Sequence, residues 1–315
     1  MCRDPELPDF SRIRIDRLAV PELTGKKISL DVLRLDLLHP LLSGNKWFKL
    51  RYWIQEARLL GKEILLSFGG AYSNHLVALA VAGKIEGLQT VGVVRGERTG
   101  PLPSTLSRAE NYGMILRFVS RTGFSQSLEE PHQWLRDYPD AFIIPQGGWG
   151  PPGARGAAGI LDPQSWPGLP GMAMDFGGYS HIAVAAGTGT TAAGLLNGSE
   201  PDQTIVAFPV MKHENRLLDP IRTLVPDPMK FGRLRLFSGY AFGGFAVRSP
   251  DLLAFMNWFH SEYRIPTDFV YTGKLFFGLL NQIRRGSFPP GSRILAIHTG
   301  GLQGNHSLPP GSLTF

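Results

Sequence analysis

The sequence predicts an α/β fold made of two three-layer domains with mainly parallel sheets. Short apolar segments alternate with segments whose apolar residues have helical spacing, and glycine-containing loops follow the apolar segments. Strands that alternate with helices form parallel βαβ units, so each series of such segments builds one sheet covered by helices. Two series are present. We therefore expect a smaller α/β domain, residues 60–144, inserted into a larger one formed by residues 1–59 and 145–315.

The elements follow in order along the chain. A strand at Ile28–Leu35 leads to a helix over Lys46–Leu60, whose apolar periodicity ends at Gly61. The predicted elements of the inserted domain are strand Glu63–Phe68, helix Asn74–Lys84, strand Thr90–Val94, helix Leu102–Tyr112, strand Ile115–Val119, helix Pro131–Arg136 and strand Ala141–Ile144. Those of the second series are strand His181–Ala186, helix Ala192–Leu196, strand Thr204–Pro209, helices Pro250–Tyr263 and Lys274–Arg285, and strand Arg293–His298. Ligands of such folds bind beyond the carboxyl ends of the strands, where the glycine loops lie.

Composition narrows the class of protein. The chain has 315 residues, of which 43% are hydrophobic and 18% charged, as in ordinary globular domains. Its net charge of +6 forms no dense basic run, so we expect no nucleic-acid partner. Cys2 is the only cysteine, which excludes an internal disulfide and a thiolate metal cluster. Met1–Phe10 lacks the apolar core of a secretory signal, and no segment is long enough to span a membrane, so we expect a cytoplasmic protein without a metal site.

A glycine-threonine loop follows the strand His181–Ala186. It reads Gly187, Thr188, Gly189, Thr190, Thr191, and a helix begins within it. Glycines let backbone amides approach an anion, the helix N-terminus adds positive potential, and threonine hydroxyls add donors. The loop therefore has the character of a phosphate cradle; the alternative is a glycine-rich turn that binds nothing. It lacks the lysine ending of a nucleotide P-loop and the third glycine of a dinucleotide loop.

Lys46 lies at the start of the first long helix, after Gly44 and Asn45. The helix dipole favours anions at that end, so a lysine there is unfavourable and hints at chemistry. A lysine that forms an imine needs a lowered pKa. Taken alone, Lys46 also fits an ordinary solvated lysine, and Lys49 fits a surface charge or a cation near the site.

Two further loops carry polar residues. Ser73, Asn74 and His75 open a helix and are suited to bind a carboxylate, although Ser and Asn are also usual N-cap residues. A Ser-His hydrolase is a poor fit, because the Gly-x-Ser-x-Gly pattern is missing. In the segment Asp268–Lys274, Tyr271 could stack on a flat ring and Thr272 could bond a ring nitrogen; the alternatives are a packed aromatic residue and another N-cap. The loop 298–301 ends a strand and could line the same cleft.

Taken together, these loops resemble one family. The segments Gly-Asn-Lys at 44–46, Ser-Asn-His at 73–75, Gly-Gly at 147–148, Gly-Thr-Gly-Thr-Thr at 187–191, Val-Tyr-Thr-Gly-Lys at 270–274 and His-Thr-Gly-Gly at 298–301 occur in the same order in the 1-aminocyclopropane-1-carboxylate deaminase / D-cysteine desulfhydrase family. The resemblance implies the tryptophan synthase β fold type, known as fold type II, with pyridoxal 5′-phosphate (PLP) in the cleft between the domains. It also implies a small amino-acid substrate and a homodimer.

The resemblance implies roles for individual residues. Lys46 is the Schiff-base lysine and the proton-transfer base, and Lys46, Ser73 and Tyr271 are the catalytic residues. The implied cofactor-binding residues are Lys46, Asn74, Gly187, Thr188, Gly189, Thr190, Thr191 and Thr272, with Asn74 facing the ring hydroxyl and Thr272 the pyridine nitrogen. The implied substrate-binding residues are Ser73, Asn74, His75 and Tyr240, of which Tyr240 resembles a second active-site tyrosine.

Three residues depart from the family pattern. Phe48 stands where Arg is common, Tyr72 where Gln is usual, and Thr272 where the aminocyclopropane deaminases typically have Glu. A neutral hydroxyl strengthens the electron sink less than a carboxylate, which favours a substrate whose leaving group is easily expelled. The expected activity is therefore α,β-elimination like that of D-cysteine desulfhydrase, giving keto acid, ammonia and sulfide. The alternatives are 1-aminocyclopropane-1-carboxylate deaminase and a catalytically silent PLP-binding protein.

Overall fold

The structure is a computed structural model that describes residues 6–20, 23, 25–42, 44–168, 174–212 and 214–315. Cys2 and the start of the N-terminal segment lie outside the described residues. None of the helices in the described part combines the length and apolarity that crossing a bilayer requires.

In the part of the chain that the structure describes, ten strands form two sheets, as the alternation of strands and helices predicts. The larger sheet has the strand order β1 (Ile15–Arg17), β2 (Ser29–Arg34), β10 (Arg293–His298), β7 (His181–Ala186), β8 (Thr204–Pro209) and β9 (Leu234–Leu236). Only β1 runs antiparallel to its neighbour. The smaller sheet is wholly parallel, in the order β5 (Ile115–Val119), β4 (Gln89–Arg95), β3 (Ile64–Gly70) and β6 (Ala141–Ile143). The predicted α/β class with mainly parallel sheets is confirmed.

Helices cover the faces of both sheets. Their bounds are α1 Asn45–Leu59, α2 Asn74–Glu86, α3 Ser104–Asn111, α4 Arg121–Glu129, α5 Pro151–Ala158, α6 Thr190–Gly198, α7 Leu218–Leu224, α8 Pro228–Phe231, α9 Pro250–Tyr263 and α10 Thr272–Arg284. Short 3₁₀ turns connect several of them, and the predicted helix Pro131–Arg136 is one of these turns. The predicted bounds of four strands (β5, β7, β8 and β10) and of α9 agree with the structure residue by residue.

The prediction missed several short elements, among them β1, β9, α4, α5 and α7. Helix α5 illustrates the reason. Its sequence begins Pro151-Pro152-Gly153, which is typical of a turn. The prolines occupy the first turn of the helix, where a missing N–H removes no hydrogen bond and the fixed φ angle suits the helix. The sequence Pro-Pro-Gly therefore fits both a turn and the start of a helix, and tertiary packing decides between them.

The register of the larger sheet brings the functional loops together. His298, the last residue of β10, pairs with Arg34 at the end of β2, and Ala186 at the end of β7 pairs with Pro209 at the end of β8. These strands therefore end at one edge of the sheet. The loop after β7, the loop after β10 and the connection from β2 to α1 all begin there.

Two glycines let α5 pack directly against α1 and α6. A Cβ at Gly156 of α5 would overlap the carbonyl oxygen of Phe48 in α1, and a Cβ at Gly194 of α6 would overlap the Cβ of Ala157. Backbones can come this close only where side chains are missing. The contact fixes α1, which carries Lys46, relative to α6, which follows the loop after β7.

We expect Gly156→Ala to lower the free energy of unfolding by about 2 kcal/mol, because the added methyl meets backbone atoms that cannot rotate away. Urea unfolding of the protein without cofactor measures this. Gly25→Ala is the matched control: a Cβ there meets nothing, so the unfolding free energy should change by less than about 0.5 kcal/mol. Equal effects of the two substitutions would contradict the packing argument.

Candidate active site

Lys46 is the second residue of α1, and Gly44 is the N-cap of that helix. Gly44 has φ of +56°, and a Cβ there would overlap the carbonyl oxygen of Thr299, just beyond β10. Glycine thus allows α1 to start directly against the carboxyl edge of the larger sheet. The half-buried Lys46 side chain lies at that edge. Its Nζ donates to Oδ1 of Asn45 at 3.1 Å and is 5.7 Å from the centre of the Tyr271 ring.

The pKa of Lys46 is lowered to about 8. Desolvation is the main cause, and the negative charge of Asp268 opposes it. A lysine with this pKa is partly neutral near pH 7, which suits a nucleophilic amine. Lys46 is therefore not the freely solvated lysine that its sequence context alone permits.

Lys49 lies one turn further along α1 and is not a surface charge, because only 3% of it is exposed. Among the described residues, no carboxylate or hydrogen-bond acceptor pairs with its ammonium group. Burial, together with the nearby charge of Lys46, holds the pKa of Lys49 well below its usual value. The structure thus shows the second alternative, a cation beside the site, and this cation lacks a partner.

The loop 187–191 lies beside Lys46. Asn45 connects the two: its Nδ2 donates to Oγ1 of Thr191 at 2.8 Å, while its Oδ1 accepts from Lys46. The hydroxyls of Thr188 and Thr190 share a hydrogen bond of 2.9 Å. Helix α6 has no acidic residue in its first turn, so nothing there neutralises its positive end.

Neighbouring residues also pack closely against this loop. A Cβ on Gly187 would lie 3.3 Å from the Tyr271 ring, and one on Gly147 would lie 3.0 Å from Cγ2 of Thr188. A cavity of 510 Å³ opens beside the loop, with Gln146, Trp149 and Thr188 among its lining residues. The Gly147–Gly148 segment therefore lies next to the loop 187–191.

The N-terminus of α2 forms the opposite side. Ser73 is its N-cap, and its Oγ accepts from the amide of Leu76 at 3.3 Å. Asn74 is buried; its Nδ2 donates to the carbonyl of Gly301 at 3.4 Å, and its Oδ1 has no hydrogen-bond partner. His75 is buried too. Its Nε2 meets Oγ of Ser67 at 2.9 Å, whereas Nδ1 has no partner.

Unpaired polar atoms such as these are informative. Leaving a buried acceptor unsatisfied costs about 1–3 kcal/mol, so Oδ1 of Asn74 and Nδ1 of His75 mark places where a ligand can contribute a donor. Burial, with the charges of Lys49 and Lys46, holds the pKa of His75 well below its usual value. His75 is therefore neutral at pH 7. Since Ser67 donates to the carbonyl of Ile144 at 2.7 Å, its oxygen accepts from Nε2 of His75, which leaves Nδ1 as an acceptor.

Thr272 does not face the cleft. It is fully buried, and its Oγ1 donates to Oδ1 of Asp268 at 2.7 Å and accepts from the Asp268 amide at 2.8 Å. Asp268 in turn accepts from the amides of Val270, Tyr271 and Thr272, each at 2.9 Å. Tyr271 is the N-cap of α10, and the Asp268 carboxylate accepts from the amides at the start of that helix. The geometry therefore supports neither the predicted contact of Thr272 with a ring nitrogen nor the alternative that Thr272 is the N-cap.

Tyr240 also faces away from the cleft. Its hydroxyl donates to Asn281 at 2.7 Å and accepts from Gln282 at 2.6 Å, while its ring packs against Phe208. The aromatic residue of this segment that reaches the site is Phe245, whose ring is 5.8 Å from that of Tyr271. Phe245 is not among the predicted site residues. It lies five residues after Tyr240, and the sequence does not show which of the two rings faces the cleft.

The other two departures from the family pattern differ in burial. Phe48 is fully buried in an aromatic cluster with Phe10, Trp47 and Trp166, at ring separations between 5.2 and 6.1 Å. Tyr72 is 47% exposed. Phe48 therefore packs into the core beside the larger sheet.

The site can hold a ligand that has both an anionic group and an electrophilic carbon. Lys49, the positive end of α6 and the threonine hydroxyls supply charge and donors for a phosphate, and Lys46 supplies an amine of lowered pKa. Among the described residues, no group of three or more His, Cys, Asp or Glu side chains could hold a metal ion.

Comparisons with known proteins agree with this chemistry. A family model described as pyridoxal-phosphate dependent enzyme matches residues 14–300. A Pyrococcus horikoshii protein provisionally named 1-aminocyclopropane-1-carboxylate deaminase is 27% identical, over 89% of this chain and 87% of that protein. The D-cysteine desulfhydrase of Yersinia pestis (strain Pestoides F) is 25% identical, over 96% and 97%. The crystal structure of an ACC deaminase homologue is 26% identical and superposes with a TM-score of 0.77, over 96% of this chain and 94% of that one.

We expect Lys46 to react with a small aldehyde with a pH midpoint of about 8, because burial lowers its pKa to about 8 and only the neutral amine attacks. At pH 7 about a tenth of Lys46 should be neutral. Borohydride trapping followed by peptide mass spectrometry measures the modification in protein freed of cofactor. Lys84, an exposed lysine of α2, is the internal control. If Lys46 and Lys84 were modified in parallel across the pH range, the lowered pKa would be refuted.

Proposed function

The chain belongs to the family of pyridoxal-phosphate-dependent enzymes, and from that premise we propose that it catalyses α,β-elimination on a small β-substituted D-amino acid such as D-cysteine. The products are pyruvate, ammonia and sulfide, with one water consumed. The observation that carries this proposal is Lys46, an amine whose pKa is about 8 at the carboxyl edge of the larger sheet. It lies between the loop 187–191, which is suited to bind a phosphate, and the N-terminus of α2, which is suited to bind a carboxylate.

The residues fit PLP. Nζ of Lys46 would hold the cofactor covalently, and Lys49 and the loop 187–191 would hold its phosphate. The unpaired Oδ1 of Asn74 would accept a donor from the cofactor or substrate. When bound, PLP withdraws electrons from the substrate Cα and makes its α-proton acidic.

The substrate carboxylate is assigned to the N-terminus of α2. Ser73 and the amides of Asn74 and His75 supply donors there, and the helix dipole adds positive potential. As a free amine of lowered pKa, Lys46 would remove the α-proton. Burial raises the pKa of Tyr271, so its phenol stays protonated and can donate a hydrogen bond to the departing thiolate.

The choice of elimination rests on the carboxylates near the site. Asp268 is the acidic side chain that acts on Lys46, and its oxygens already accept four hydrogen bonds. Among the described residues around Lys46, no acidic side chain is left to keep a ring nitrogen protonated. Expelling a thiolate needs less electron withdrawal than opening a cyclopropane ring, so this arrangement favours desulfhydration over deamination of the cyclopropane substrate.

We also propose that the protein is a homodimer, which the family resemblance supports, and that it works in the cytoplasm.

A substrate screen tests the proposed reaction. With PLP supplied, we expect D-cysteine to release pyruvate and sulfide faster than L-cysteine, and faster than 1-aminocyclopropane-1-carboxylate releases 2-oxobutyrate. Lys46→Ala should lose both the yellow absorbance of the bound cofactor and turnover, whereas Lys84→Ala should keep both. Faster release of 2-oxobutyrate would establish the deaminase instead. Bound cofactor with no release from any D- or L-amino acid would identify a silent binding protein.

Lys49→Met should act in opposite directions with and without cofactor. Without it, the substitution removes a buried amine that has no partner among the described residues, so the free energy of unfolding should rise by about 1 kcal/mol or more. With it, the loss of a charged hydrogen bond to phosphate should weaken PLP binding by about 1.5–3 kcal/mol, roughly tenfold to a hundredfold. Urea unfolding and a PLP titration measure the two effects.

The exposed residue Lys84 supplies the matched control for this pair of measurements. Lys84→Met should leave PLP affinity unchanged and shift the unfolding free energy by less than about 0.5 kcal/mol. Unchanged PLP affinity in Lys49→Met would remove Lys49 from the phosphate site.

A further inference from the structure

Lys274 is a buried cation that the reaction does not use. Its side chain is fully buried, and its Nζ donates to the carbonyls of Val210 at 3.2 Å, Ala241 at 2.9 Å and Gly244 at 2.7 Å. Burial lowers its pKa to about 8, which leaves the group mostly protonated at neutral pH. A buried ammonium is costly unless it is hydrogen-bonded, and here all three of its protons have acceptors.

Two of the three acceptors belong to the segment Gly239–Val247, which we call the 239–247 loop. Phe242 and Ala246 in this loop have φ of +50° and +54°, a region that side chains other than glycine rarely adopt. Such a conformation persists only where contacts from outside the loop impose it. The bonds from Lys274 are such contacts, because they reach the loop across about thirty residues of sequence.

The 239–247 loop carries Phe245 to the site. The Phe245 ring meets the Tyr271 ring edge-on, at 5.8 Å and 75°, and Nζ of Lys46 lies 5.7 Å from the centre of the Tyr271 ring. Phe245 is 48% exposed, so one side of its ring remains open. Tyr271 itself is three residues before Lys274, at the start of α10. The same short segment thus provides Tyr271 and the anchor for the loop that packs on it.

We propose that Lys274 is a positioning residue of the active site: its ammonium anchors the 239–247 loop and holds Phe245 against Tyr271 as an apolar wall beside Lys46. Phe245 is then a specificity-determining residue. An aromatic wall without a hydroxyl or a charge favours a substrate whose β-substituent is small and uncharged, such as a thiol, over one with a side-chain carboxylate. This specificity rests on the proposed function, whereas the anchoring of the loop does not.

Hydrogen exchange of the PLP-loaded protein, read by mass spectrometry, tests the anchor. In Lys274→Met, whose side chain has similar length and no donor, peptides covering residues 239–247 should exchange at least about tenfold faster, with little change in the strands of the larger sheet. Lys230→Met is the matched control, since Lys230 also donates to a backbone carbonyl, that of Asn197 at 2.7 Å, outside the loop. It should leave exchange in the loop unchanged.

The anchor is overturned if loop exchange in Lys274→Met stays at the native rate, or if it rises to the same extent throughout the chain. Should Lys274→Met not be recovered in soluble form, Lys274→Gln replaces it, because its shorter amide can reach fewer carbonyls. This readout needs no turnover, so it decides the anchor even if the proposed reaction is wrong.

Steady-state kinetics test the wall. Phe245 is half-exposed, so Phe245→Ala should fold and keep native loop exchange, but it should raise KM for D-cysteine about tenfold with a smaller change in kcat. Lys274→Met should show the same split. An unchanged KM in Phe245→Ala would remove Phe245 from the substrate site. If no amino acid is turned over, the proposed function has failed, and the exchange experiment still stands.

Discussion

The site depends on how closely the backbone of α1 approaches its neighbours. At its start, Gly44 lies against the carbonyl of Thr299 at the edge of the larger sheet; further along, the carbonyl of Phe48 lies against Gly156 of α5. Neither contact leaves room for a Cβ. Because α1 is held at both points by backbone rather than by flexible side chains, the position of Lys46 follows from packing, and the loops after β7 and β10 are placed around it.

The charges of the site follow from that packing. Lys46 and Lys49 lie on the same helix, and burial lowers the pKa of both. The carboxylate oxygens of Asp268 accept hydrogen bonds from backbone amides at the start of α10. The folded protein without ligand therefore carries positive charge that its own side chains do not neutralise. Binding an anion recovers part of that cost. The same uncompensated positive charge therefore lowers the stability of the fold without ligand and favours the binding of a phosphate.

Much of the fold and the cofactor could be predicted from the sequence. The apolar periodicity indicates the strands and helices, and the order of the loop motifs indicates a PLP enzyme. The failures concern orientation. Thr272 is four residues from Asp268, and the residues between them do not show that its hydroxyl donates to that carboxylate. Tyr240 and Phe245 share a loop whose conformation is imposed by Lys274, distant in sequence. The burial of Lys49 depends on where α1 packs. Each case is decided by tertiary contacts that sequence patterns do not encode.

Three lysines show how partners, rather than burial alone, decide what a buried amine does. Burial lowers the pKa of both Lys46 and Lys274 to about 8, so the two amines have similar acidity. Lys274 is fully buried and gives every proton to a carbonyl, which leaves it neither access nor a free lone pair for reaction. Lys46 is half-buried and has a single neutral acceptor in Asn45, so its nitrogen can lose a proton and form a bond. Lys49 is more deeply buried than Lys46 and has no hydrogen-bond acceptor among the described residues. We therefore assign covalent chemistry to Lys46 because, of the three, it combines a lowered pKa with the greatest exposure.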